Sequence, residues 1–157
     1  MSVNKIGDWE RARNVISHLA QDMSAALKES LPVVALKAER IAVLHVRNQD
    51  LNWQGLKDAT LKQKSKKGWS NKIMIATTDY ISSITSYATH DTAFAGVKKD
   101  AKNRDGESLV SIAAVMEFGH ATTPARPLWG PTYKETLAWM KKEKIFSKTA
   151  LAKMRNR

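Results

Sequence analysis

The side chains in this chain that could do chemistry are four histidines, His18, His45, His90 and His120, the carboxylate of Glu117, and a His90-Asp91 pair near Ser82 and Ser83. A histidine between an aspartate and a serine would suit acyl transfer, with the imidazole taking the hydroxyl proton. Adjacent residues on a strand or turn point apart, so His90 and Asp91 rarely meet in that geometry, and the turn preference of aspartate accounts for Asp91 more simply. No histidines fall at HExxH or related ligand spacing, and the absence of cysteine removes thiolate metal sites and disulfides together. Glu117 lacks the second carboxyl group that glycoside hydrolysis needs. GxxxxGK[ST], GxGxxG and GxSxG are missing, so neither a phosphate cradle nor a nucleophile elbow is encoded at motif level. These residues predict no catalysis, no metal and no cofactor.

Positive charge is the other chemical resource. Lys and Arg number 26 against 15 Asp and Glu, a net charge of +11 that attracts polyanions. Residues 1–50 carry +1, 51–107 carry +4 and 108–157 carry +6. The excess sits in KQKSKK (62–67), with Lys62, Lys64, Lys66 and Lys67, and in KKEK (141–144) and KMRNR (153–157). Solvated surface charge is one reading. A free nucleic-acid-binding module is another, although no helix-turn-helix, RNP or zinc pattern supports it.

The 157 residues suit one domain, and an apolar fraction of 43% can fill a core. No apolar run approaches the roughly 18 residues that span a bilayer, and MSVNKIGDWER lacks a signal-peptide centre, so a soluble chain made in a cytoplasm and kept from membranes is expected.

The elements follow from periodicity. Trp9, Ala12, Ile16, Leu19, Met23, Ala26 and Leu27 recur at three and four, one apolar helix face. Pro32 fits the first turn of a second helix starting near Leu31, and Val34, Ala38, Ile41, Ala42 and His45 carry a stripe on to Val46; two helices, or one kinked at the proline, satisfy the pattern. His45 is expected at the edge of that stripe with no ligand role. Residues 49–72 lose periodicity and read as a long connection in which Trp53 and Trp69 fold back on the core or anchor a partner. Thr78 or Asp79 starts a short turn of helix, DYISSI, and SITSYATH and AFAGVKK form a hairpin about HDT. DAKNRDGES is a turn, LVSIAAVMEF a short helix, or a strand in its first half, stopped at Gly119. TPARPLWGP should be stiff and extended, Pro131 should open a last helix containing Leu137, Met140 and Tyr133, and the chain from Ser147 is helical or frayed. One domain over 1–146 with a basic tail at 147–157 summarises this reading.

NWQGLKDATLKQK, TTDYISSI, two strands, IAAVMEFG and TPARPLWG, in this order and spacing, resemble the phage virion-morphogenesis family of tail-completion or head-to-tail joining proteins, over residues 50–138. The most specific part is Glu117, Phe118 and Gly119 followed by Pro124, Ala125, Arg126, Pro127, Leu128 and Trp129. Thr78-Asp79 and Thr123 depart from the pattern, which leaves open a neck ring beside the portal or a terminator ring capping the tail tube.

The resemblance implies a small α+β fold: N-terminal helices on a small antiparallel sheet, a short helix before EFG and a C-terminal helix. It further implies a virion protein in the neck or tail end, closing as a hexamer or dodecamer around the DNA passage, with portal or adaptor, tail terminator or tail tube as neighbours. On that basis Glu117, Phe118, Gly119, Arg126, Pro127, Leu128, Trp129 and Trp53 are expected at subunit or partner interfaces, with Leu128 and Trp129 as anchors and Arg126 pairing with a neighbour's carboxylate or backbone. An internal turn that orients the last helix is the competing reading of the same segment. Lys62, Lys64, Lys66 and Lys67 are expected to face genomic double-stranded DNA without reading sequence.

Overall fold

A computed structural model describes residues 7–156; the expectation of no leader in residues 1–6, and the final residue of the basic tail, Arg157, lie outside the described residues. The described chain is an α+β fold of helices α1 (Trp9–Asn48), α2 (Asp58–Lys66), α3 (Asp79–Ser83), α4 (Leu109–Phe118), α5 (Trp129–Glu143) and α6 (Ile145–Arg155), with strands β1 (Ile84–Ala88) and β2 (Ala93–Val97) between α3 and α4.

The first third is a single α-helix. Asp8 caps α1 by accepting from the Arg11 N–H, Gln49 closes it in left-handed geometry at φ +58°, and Pro32 lies exposed within it. At 1.5 Å per residue, 40 residues reach about 60 Å. Its C-terminal half supplies Ala42 and Val46 to a core completed by Tyr80, Ile84, Leu109 and Leu128. Burying the Leu128 side chain completely contributes about 2–3 kcal/mol.

The strands pair antiparallel with Ile84 opposite Val97 and Tyr87 opposite Phe94. Period-two alternation puts Ile84 and Val97 on the core side, where Ser86 also donates to Glu39 of α1 at 2.6 Å. Tyr87 and Phe94 stack on the other side with ring centroids 4.9 Å apart.

Three expectations are corrected. The connection 49–72 is not structureless, because α2 fills its middle. The tail at 147–157 is not separate either: a boundary at 146 falls inside α6, which lies on α1 with Ser30 donating to Thr149 at 3.2 Å and Lys153 paired with Glu29. The helix expected to open at Pro131 is α5, which begins at Trp129, so WGP is its first turn.

Candidate functional site

The EFG and PARPLW pieces form an internal brace between α4 and α5. Leu128, at the N-cap of α5, has no capping side chain, and Glu117 at the end of α4 supplies one from a distance. Its Oε2 accepts from the N–H groups of Leu128 (2.7 Å) and Trp129 (3.1 Å), and its Oε1 from Gly130 (3.3 Å). Pro131 follows with no N–H, so every donor of the first turn is accounted for. The carboxylate also lies at the positive end of the helix dipole.

Gly119 makes the return possible. It sits at φ +75°, and a Cβ there would come within 3.0 Å of the Ala125 nitrogen and 3.1 Å of the Thr123 oxygen, both backbone. His120 and Thr123 exchange backbone hydrogen bonds across the turn, and the Arg126 N–H donates to the Met116 carbonyl. Arg126 then plugs the 53–55 segment, with Nε donating to the Gln54 carbonyl at 3.0 Å and an Nη to that of Gly55 at 3.3 Å. Trp53 folds back, its indole N–H donating to the Pro127 carbonyl at 2.9 Å.

This geometry corrects part of the expected interface. Leu128 is 1% and Arg126 4% exposed within their own chain, so a neighbouring subunit cannot use them as surface anchors. Glu117 is committed to α5, and Trp53 and Trp129 pack half-buried against the core. Phe118, 81% exposed, and Pro127 remain at the surface.

The lysine run divides in the same way. Lys62, Lys66 and Lys67 are exposed, and the Lys67 ammonium lies 4.3 Å from the Trp69 ring centre. Lys64 is not available to DNA: it is 7% exposed and donates to the carbonyls of Lys72 (2.6 Å) and Ile75 (3.2 Å), because helical spacing turns it inward from its neighbours. His45 is more embedded than a stripe edge requires. It is buried, with Nδ1 2.7 Å from Asp50 and Nε2 3.3 Å from Glu135 of α5. A lone histidine gave no sequence signal for that bridge.

The surface carries two apolar faces that the chain itself leaves open. Trp9, Ile16, Leu19 and Met23 continue, at spacings of three, four and seven, the stripe that Leu27, Val34 and Ile41 present to the rest of the fold. The C-terminal half of the stripe is covered, whereas Ile16 is 72% and Met23 57% exposed. The stacked Tyr87 and Phe94 form the second face. Ile16 and Glu39, to which the hairpin is tied, are 23 residues apart on α1, about 35 Å.

Among the described residues no group of three or more His, Cys, Asp or Glu side chains is placed to hold a metal, and no helix is long and apolar enough to cross a membrane. Comparison with known family models, curated proteins and solved structures finds no match to this chain.

Proposed function

We propose that the chain is a structural virion subunit of the neck or tail-completion kind, closing as a homo-oligomeric ring around the DNA passage. The observation that carries this reading is the uncovered half of the α1 stripe. An apolar helix face that starts in solvent and runs without a break into the core is built to be completed by another chain. A second copy is the occupant a ring requires: head-to-tail contacts join two different patches, and the α1 stripe and the Tyr87–Phe94 face are two such patches well separated along the molecule. The brace between α4 and α5 serves this reading as scaffold, leaving Phe118 and Pro127 for a neighbouring neck protein such as a portal adaptor or tail terminator. Lys62, Lys66 and Lys67 offer phosphate contacts in the lumen, and the reading assigns no reaction to the chain.

Light scattering of the full chain across a concentration series, beside an Ile16→Ser/Met23→Ser variant, tests the assembly. The expected result is a mass several times 17.5 kDa for the wild type and a shift to monomer for the variant, with unchanged helix content. A wild type that stays monomeric at every concentration and is missing from purified particles overturns the proposal.

A further inference from the structure

A cavity of about 410 Å³ opens between α2, the 69–80 segment, the 103–107 turn and α4. Its walls are mainly apolar, with Leu56, Trp69, Ile73, Met74, Leu109 and Ile112 among them. Two cations, Lys64 and Arg126, line this apolar space although each is more than nine-tenths buried. Neither forms an ion pair among the described residues, and every acceptor they use is a neutral backbone carbonyl. Three carboxylates also line it: Asp79 is held by Thr77 and faces Arg104 at 3.7 Å, Glu107 is held by Asn103, and Asp105 lies exposed beside them.

Desolvation, and then the field of Arg126, holds the Lys64 ammonium below its usual range. Burying two positive charges without an ion-pair partner is costly, and an anion between them would offset that cost. The donors left over indicate which anion. Lys64 spends two of its three N–H groups and Arg126 two of its five, so 1 + 3 = 4 remain. A carboxylate presents about four lone-pair sites and one negative charge. A phosphate dianion brings more acceptors than this and has no use for the apolar walls.

We infer that the cavity is a binding site for a carboxylate carried on an apolar body, the carboxylate seated by Lys64 and Arg126 and the body packed toward Trp69 and Ile112. A free amphiphilic acid and the C-terminal carboxylate of a chain ending in an apolar residue share this chemistry. The inference is independent of ring formation.

Calorimetric titration of the full chain with octanoate, octylamine, inorganic phosphate, N-acetyl-leucine and N-acetyl-leucinamide tests it, with Trp69 fluorescence as a second readout. Octanoate or N-acetyl-leucine should saturate the site while octylamine, phosphate and the leucinamide do not; tighter octanoate marks a free acid, tighter N-acetyl-leucine a chain end. Lys64→Met should weaken binding roughly tenfold or more, and Lys66→Met, on the exposed side of the same helix, should leave it unchanged. Should Lys64→Met not fold, Ile112→Trp fills the space instead and should abolish binding. Octylamine or phosphate binding as well as octanoate overturns the inference. So does a folded Lys64→Met that binds like wild type, an Ile112→Trp that still binds, or a failure of both carboxylates to saturate.

Discussion

Glu117 caps α5 from eleven residues upstream, so one carboxylate fixes both the start of a helix and its direction from the helix before it. Glu117→Gln keeps the acceptor on one atom but removes the charge and puts an N–H₂ against backbone donors, which should cost about 1–2 kcal/mol. Urea denaturation checks it, and a midpoint equal to wild type would show the cap to be dispensable. Tyr80 supplies a pH test. Burial, and then the Glu117 charge, pushes its phenol from 10.0 up to about 12, so the fold favours the neutral form. That contribution is complete below pH 10 and is lost as pH climbs from 10 to 12. Lys64 runs the other way: its lowered value means its burial penalty stands at neutral pH and eases as pH rises toward 10.5. Tyr80→Phe should therefore lose less stability than wild type between pH 10 and 12, by on the order of 2 kcal/mol in thermal or urea melts. At this scale the sequence named the residues of the brace but not their direction. Arg126 and Leu128 have the same types whether they grip a neighbour or their own chain, and only the Gly119 return turns them inward.

At the scale of elements, legibility followed apolar period. The hairpin, α3, α4 and the stop at Gly119 were readable because alternation, capping residues and a glycine mark them locally. The helix α2 was not, because DATLKQKSK has almost no apolar stripe and is held instead by the inward Lys64 reaching two carbonyls. The docking of α6 was equally hidden, since Ser30, Thr149, Glu29 and Lys153 are residues that surfaces use everywhere. Two helices, or one kinked at Pro32, both fitted the pattern, and α1 is one helix that passes through the proline, with its ring exposed. A proline there forgoes one main-chain hydrogen bond and crowds the preceding turn. Pro32→Ala should stabilise the chain by about 1–3 kcal/mol, read as a higher melting temperature with unchanged helix content. A lower melting temperature would mean that a bend at Pro32 is needed to seat the hairpin and α5.

For the whole molecule, amphipathic spacing told where a stripe lies but not what covers it: the pattern over residues 9–27 is the same whether the other side is core, neighbour or water. Charge behaved similarly, since a run of lysines does not disclose that one member faces a cavity. Being one helix in geometry also does not make α1 one unit in stability. Its residues beyond Ser30 open only when the core opens, whereas those before about Asp22 have little packing to lose. Amide deuterium uptake should fall steeply from Val15 to Val46 along the same rod in the isolated chain. Whatever molecule comes to lie on the stripe would flatten that gradient, so the slow-exchanging length of α1 doubles as a gauge of occupancy that needs no label and no assay of function.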